Sequence, residues 1–395
     1  MAESQRIKVC QVLNAYRVGG AETVALDLAR SLDPDRFESL AVALIEPRDQ
    51  REPEMRRRFR EAGVAAYALH GRSFRDPRTL WRIVRFLRQH RPQVVHGHNR
   101  FADLWAGRLA PLAGVGAVLW TRHSVYKDMQ RRHRSSYQRL ARRAVAVVAV
   151  SDAVHRYCLE VERLPAAKVR TIPNGIDTER FRPATATERQ DARARLGVAG
   201  DEHVLLFVGR LSEQKGPDAF VALVRRLRQR GLRVRGFVCG HGELAARMQA
   251  LVAGESGVEL LGLRQDVPTL LGACDLFVST SRNEGLPLNV MEAMAAGAPI
   301  TAPDLAQIEQ LVAGHRELES GLYPRPPEHG QVPAGQIDAW ADVVAARLAD
   351  PDLRHRCGAA GRAVITERFP LTRMVEEYAA IYESISAGRL VGPRG

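Results

Sequence analysis

The stretch DLFVSTSRNEGLPLNVMEAMAAG, Asp275 to Gly297, decides the fold. DLFVST is a run of apolar and β-branched residues, SRNEGLP holds the Gly and Pro of a loop, and LNVMEAMAAG repeats apolar residues at helical spacing. A strand, a loop and then an apolar-sided helix make the unit of a parallel sheet with crossover helices. The loop lies at the carboxyl end of its strand, where open α/β sheets bind ligands. Glu284 sits just ahead of the helix and Glu292 in its first turns. Ionised carboxylates are favoured there by the helix dipole, and they only accept hydrogen bonds, so they match a ligand rich in hydroxyl donors. A capped helix with a solvated face is the plain alternative.

The same unit recurs in both directions along the chain. Upstream, IKVCQVL (7–13), SLAVALI (39–45), VAAYAL (64–69), QVVH (93–96), AVLWT (117–121) and AVAVVAV (144–150) read as strands, with helical stretches such as AETVALDLARSL and TLWRIVRFLRQH between them. A polar segment, TERFRPATATERQDAR, reads as a linker running into a helix. The alternation then restarts with HVLLFVGR (203–210), VRGFVCG (234–240), VELLG (258–262), DLFVST (275–280) and PITAP (299–303). At 395 residues the chain is too long for one ordinary core, and it reads as two doubly wound α/β domains in series. A site serving both would lie in a cleft between them.

Composition narrows the function classes. Hydrophobic residues at 45% and charged residues at 26% exclude a disordered or fibrous chain. The five cysteines are scattered with no zinc spacing and read as buried thiols in a reducing cytosol. No segment approaches the roughly 20 apolar residues of a membrane span, and the polar start MAESQRIKVC shows no signal peptide, so a cytoplasmic location is expected. Residues 1–150 hold 28 Lys and Arg against 14 Asp and Glu, whereas residues 151–395 hold 30 against 31. The whole surplus of +13 therefore belongs to the first half and points to an anionic partner there.

Three further groups fall after strands. Gly19 and Gly20, in RVGGAE, open a helix whose N-terminus suits a phosphate, although the G-x-G-x-x-G spacing of dinucleotide binders is absent. Arg210 and Lys215, in VGRLSEQKG, place two cations on one loop, a match for a diphosphate. His96 and His98 in VVHGHN and His123 in WTRHS form a poor zinc set and read better as hydrogen-bonding partners of a hydroxylated ligand, with satisfied structural histidines as the alternative.

Taken together, GGAE (19–22), VVHGH (94–98), TRH (121–123), AVAVSD (147–152), IPNGID (172–177), VGRLSEQKG (208–216), CGHGE (239–243), NEGLPLNVMEAMAAGAP (283–299) and ESGLY (319–323) resemble the family-4 retaining nucleotide-sugar glycosyltransferases. The resemblance implies a GT-B fold: two Rossmann-like doubly wound domains facing each other across a cleft. The acceptor-binding domain would span 1–180, with the C-terminal helix 370–395 packing back on it, and the nucleotide-sugar domain 190–368. It further implies that Arg210 and Lys215 grip the donor diphosphate, that Glu292 holds the ribose diol and that Glu284 holds the donor sugar. Gly19, Gly20, Gly240, Leu263, Gly285, Leu286, Pro287 and Leu288 complete the implied donor site. His123 would reach the donor sugar, and His98 and Asn99 would lie on the acceptor side. No metal and no cofactor beyond the UDP- or GDP-linked donor is implied. One departure stands out: PDLAQIE puts Asp304, Leu305 and Ala306 before Glu309, where the family often carries a Gly-rich turn.

Front-face attack by a glycan or lipid-linked acceptor fits the lack of an obvious base, with a covalent Glu284 intermediate as the alternative. A nucleotide-sugar epimerase, a phosphorylase or a non-catalytic polyanion-binding protein are the rival functions. Arg72, Arg75, Arg78, Arg82, Arg85, Arg88 and Arg91 recur at helical spacing, with a second cluster in QRRHRSSYQRLARR (130–143) and Arg56 to Arg58 adding to them. They read either as a solvated face or as a patch for an anionic membrane surface; nucleic acid is disfavoured because no stacking platform accompanies the charge.

Overall fold

A computed structural model describes residues 6–45, 53–73, 76–125, 131–254 and 257–389, with side chains undescribed at 131–133. Arg75, Gln130 and the side chains of residues 131 to 133 in the basic clusters therefore lie outside the described residues. The chain divides into two compact units, Met1–Gly175 with Leu371–Gly395, and Ile176–Pro370. The division falls at Gly175 and Ile176, inside the IPNGID motif.

The first unit is built on seven parallel strands: β1 (Ile7–Leu13), β2 (Phe37–Ala43), β3 (Ala65–Ala68), β4 (Val94–Gly97), β5 (Ala117–Arg122), β6 (Ala146–Ala149) and β7 (Val169–Thr171). Their order is β3-β2-β1-β4-β5-β6-β7, so the direction of winding reverses between β1 and β4. The second unit holds β8 (His203–Val208), β9 (Val234–Cys239), β10 (Val258–Gly262), β11 (Leu276–Val278), β12 (Ile300–Pro303) and β13 (Leu322–Tyr323), in the order β10-β9-β8-β11-β12-β13, and reverses between β8 and β11. Each unit is a Rossmann-like doubly wound sheet, and each reversal opens a crevice at the carboxyl ends of its two central strands.

Two strands, β7 and β13, were not among those read from the sequence; at three and two residues they carry too little pattern to announce themselves. The helix Pro77–His90 is capped by Asp76, which accepts from the Arg78 amide at 3.1 Å. It buries Thr79, Ile83, Phe86 and Leu87. Leu80 and Val84 on the same helix are half-buried.

Two glycines are required by close approach. A Cβ on Gly240 would stand 1.8 Å from the Gly209 carbonyl oxygen, and its φ of 153° disfavours any side chain. Gly216, at φ 62°, caps the helix Pro217–Gln229 while lying against the Thr280 carbonyl, 2.6 Å from where a Cβ would be. The loops after β8, β9 and β11 are thereby drawn together.

Behind the first sheet, Arg122 at the end of β5 is fully buried between two carboxylates, bonding Asp103 and, at 3.1 Å, Glu162. Its guanidinium also lies over the Trp120 and Tyr137 rings at 5.4 and 4.7 Å. Burial pushes Asp103 up to about 7 against the pull of Arg122, and Glu162 adds to the rise. One cation thus faces two buried acids, and Asp103 is held well above the usual carboxylate range. Replacing Arg122 with Ala strands both carboxylates in the core. The expected loss is about 3–5 kcal/mol, read as a fall of roughly 6 °C or more in the melting transition of the variant. A melting curve that overlays the wild type would show that the cluster is not a structural support.

Candidate functional site

In the second unit the site is built from two loops that leave adjacent strands. The first follows β8 and carries Arg210 and Lys215; the second follows β11 and carries Thr280 to Pro287. Arg282, almost fully buried, joins them: its amide donates to the Gln214 carbonyl at 2.8 Å and its guanidinium to the Glu213 carbonyl at 2.9 Å. The same guanidinium reaches the Pro327 and Gly330 carbonyls at 2.5 and 2.6 Å. Gln214 returns a bond to the Asn283 carbonyl at 2.9 Å, and the Thr280 hydroxyl donates to the carbonyls of Lys215 and Gly216 at 3.0 and 2.8 Å. Asn289, in the next helix, donates to the Val208 carbonyl at 2.8 Å.

On this stitched frame Lys215 Nζ meets Glu284 Oε1 at 2.5 Å, with both side chains largely withdrawn from water. The sequence reading gave the cation and the acid separate ends of a ligand; the structure brings them together. Nor is Glu284 a cap, because the helix Leu288–Ala295 starts at Pro287 with no side chain capping it. Glu292 is the fifth residue of that helix and half-buried. Arg210 is exposed at the end of β8 and makes no ion pair among the described residues. Gly285, Leu286 and Pro287 are buried beside Glu284, with Leu288 half-buried. Gly240 follows β9, and Leu263 follows β10, about half exposed. The expected donor-binding residues of this unit therefore all lie at or just past the carboxyl ends of its strands, apart from Leu288 and Glu292 in the following helix.

In the first unit Gly19, Gly20, His98 and Asn99 gather where β1 and β4 end, and His123 follows β5. The geometry changes several roles. Gly19 has an extended backbone that any residue could adopt, and a Cβ there would meet the Glu22 carboxylate at 2.7 Å. An internal acid thus stands at the helix start where the sequence reading placed a phosphate. Asn99 ties loops, accepting from the Asn14 amide at 3.0 Å and donating to Glu22 at 3.3 Å. His98, expected to face an acceptor, is fully buried and bonds Gln11 at 2.6 Å and His123 at 3.1 Å. His96 is buried as well, between the Tyr382 and Thr121 hydroxyls at 2.7 Å each. His123, half-buried, is the member of the three that solvent reaches.

Burial depresses all three histidines: His96 and His98 well below the ordinary range and His123 to about 3, the last with Arg122 adding to the effect. A histidine whose folded pKa lies under its unfolded value binds fewer protons when folded. Its contribution is intact above about 6.5 and is lost as pH falls towards the folded value. The first unit is therefore expected to lose stability steadily between pH 6.5 and 4, and a melting midpoint unchanged between pH 7 and pH 5 would contradict the buried neutral state.

Comparison with known proteins follows the same division. Residues 18–180 match the family model described as Glycosyltransferase Family 4, and residues 188–364 match Glycosyl transferases group 1. The chain is 31% identical over 323 residues to the alpha-maltose-1-phosphate synthase of Mycolicibacterium smegmatis, covering 74% of this chain and 79% of that protein. It is 31% identical over 264 residues to the lipopolysaccharide core biosynthesis mannosyltransferase LpsB of Rhizobium meliloti, covering 65% and 70% of the two chains. Among solved structures, Anabaena HepE in complex with UDP and glucose superposes with a TM-score of 0.81 at 19% identity, over 96% of this chain and all of that one.

Proposed function

The chain belongs to glycosyltransferase family 4, with the GT-B fold, and from that premise we propose a specific reaction for it. A hexose-type sugar moves from a UDP- or GDP-linked donor to a glycan or lipid-linked acceptor during assembly of a cell-surface polysaccharide or lipopolysaccharide, with retention and without a metal ion. The relatives named above support the setting, since one is a lipopolysaccharide mannosyltransferase and a structural neighbour holds UDP and glucose.

The observation that carries the reading is the Lys215–Glu284 pair on its stitched loops. As the bond between sugar and diphosphate breaks, charge builds on the leaving phosphate. Lys215, Arg210 and the N-terminus of the helix Pro217–Gln229 supply a positive field on one loop, fixed before the ligand arrives. Glu284, an acceptor only, suits the hydroxyls of the sugar, and Glu292 those of the ribose. The departing phosphate takes the acceptor's proton, so no separate base is required.

Nucleoside diphosphates and their sugars should raise the melting midpoint selectively. A ligand at 100 times its Kd adds about 2.7 kcal/mol, and silence across UDP, GDP, ADP and their sugars would defeat the proposal. Lys215→Ala should lower turnover by about 10²-fold or more; near-normal turnover would remove Lys215 from the mechanism.

A surface of the first unit supports placement at an anionic membrane. Trp81 and Leu112 are exposed by 59% and 61%, Arg85 lies over the Trp81 ring at 5.1 Å, and Arg88 donates to the Leu112 carbonyl at 2.9 Å. Arg78 is exposed beside them, whereas Arg82 leaves the patch expected from sequence, its guanidinium bonded to the Leu69 and His70 carbonyls at 3.3 and 3.0 Å. Among the described residues no helix is long and apolar enough to cross a membrane. Each well-placed cation adds about 1 kcal/mol at an anionic surface, and an exposed Trp suits the headgroup layer. The protein should co-sediment with vesicles containing anionic lipid, less so at high salt and less so as Trp81→Ala with Arg85→Ala; indifference to lipid charge would end this placement.

A further inference from the structure

Seven polar side chains of the first unit form two hydrogen-bonded strings in its core. His123 Nε2 lies 3.1 Å from His98 Nδ1, and His98 Nε2 lies 2.6 Å from Gln11 Oε1. The Gln11 amide nitrogen makes no hydrogen bond of regular geometry, and in the second string Tyr382 lies 2.7 Å from His96 Nδ1. His96 Nε2 then lies 2.7 Å from the Thr121 hydroxyl, itself 2.8 Å from that of Tyr378. Gln11, His96, His98 and Thr121 are each 0% exposed, so no water competes for these atoms.

The direction of each bond follows from the donor inventory. A carbonyl oxygen only accepts, so His98 carries its proton on Nε2. Burial keeps His98 neutral, which leaves Nδ1 as a lone pair, and the contact at 3.1 Å then requires the proton of His123 on Nε2. Turning the Gln11 amide over would reverse His98 and His123 together and set its NH2 against His98. The orientation of one buried amide therefore decides which way the exposed end of the first string is protonated.

We propose that Gln11 and His98 are positioning residues that hold His123 as its Nε2–H tautomer, so that Nδ1 offers a lone pair to a hydroxyl of the ligand. The site at His123 then selects an uncharged donor, a sugar or acceptor hydroxyl, and turns away phosphate and carboxylate, which bring only lone pairs. The identity of that hydroxyl-bearing ligand rests on the glycosyl-transfer reading; the tautomer does not.

The test is made on the full-length protein labelled with 15N in its histidine rings, by long-range proton–nitrogen correlation at pH 7. His98→Asn and His123→Asn variants identify the two spin systems. Both rings should show a protonated Nε2 and an unprotonated Nδ1, and His123 should stay so down to pH 5. A protonated Nδ1 on His123, an average over both nitrogens, or an imidazolium at pH 7 would overturn the proposal. In Gln11→Leu, the His123 pattern should become an average of the two tautomers. The same variant should bind a nucleotide sugar about 2- to 10-fold more weakly while its affinity for the free nucleoside diphosphate is unchanged. An unchanged His123 pattern in that variant would remove Gln11 from the role. Failure of all nucleotides to bind, with the tautomers as stated, would instead count against the glycosyl-transfer reading alone.

Discussion

Withdrawing an ammonium and a carboxylate from water costs several kcal/mol per ion, and their attraction offsets that only when geometry is tight and the backbone beneath cannot relax. Lys215 and Glu284 meet this condition because the loops that bear them are over-determined. Arg282 alone ties four carbonyl-bearing positions, counting its own amide bond, and Gln214 and Thr280 close the frame. Under the proposed reading the pair is also the resting form of the site. A phosphate arriving at Lys215 and a hydroxyl arriving at Glu284 give each charge a new partner as the old one is lost. Neither ion is left buried and unpaired at any stage, so the exchange avoids the largest barrier that such a site could present.

The first unit solves a different problem. Its interior holds three histidines and a buried arginine, and none of the histidines is charged at neutral pH. Arg122 has two acids of its own and helps to keep His123 neutral, while His123, His98 and Gln11 pair with one another, as do Tyr382, His96, Thr121 and Tyr378. The C-terminal helix Leu371–Ser386 belongs to this unit and brings Tyr378 and Tyr382 to the second string. A buried polar side chain is costly unless paired, and this helix from the far end of the sequence supplies the partners of His96 and Thr121.

Much of this was legible in the chain. The change from an apolar β-branched run to helical spacing around Asp275–Gly297 identifies a strand, loop and helix, which placed Arg210, Lys215 and Glu284 in loops after strands and Glu292 in the first turns of a helix before any coordinates. The frame beneath them was not legible: Arg282 and Gln214 are ordinary loop residues in sequence, and only a fold shows that their partners are backbone carbonyls. His98 was read first as a ligand contact because it follows a strand, with a satisfied structural histidine as the alternative; it is fully buried and bonded to Gln11 and His123. Gln11 did leave a signal that went unused. Strands in parallel sheets are covered on both faces, so an amide in the middle of IKVCQVL has to find a partner inside. Likewise Glu22, two residues past the Gly-Gly turn, marks an acid already present at the helix start.

The uneven charge of the chain takes on meaning from this contrast. The first unit carries the whole surplus of positive charge, yet the histidines and Arg122 near its strand ends are neutral or internally matched; cations such as Arg17, Arg78, Arg85 and Arg88 are exposed. Long-range attraction and local selection are thereby separated. Exposed arginines act over roughly a Debye length and weaken with salt, whereas a lone pair held by buried partners acts only at contact and is hardly screened. Had His123 been an imidazolium, it would have added to the general attraction for anions and lost the ability to accept from a hydroxyl. Under the proposed reading, its neutral state leaves the recognition of charge to cations such as Lys215 and Arg210, which stand on one loop.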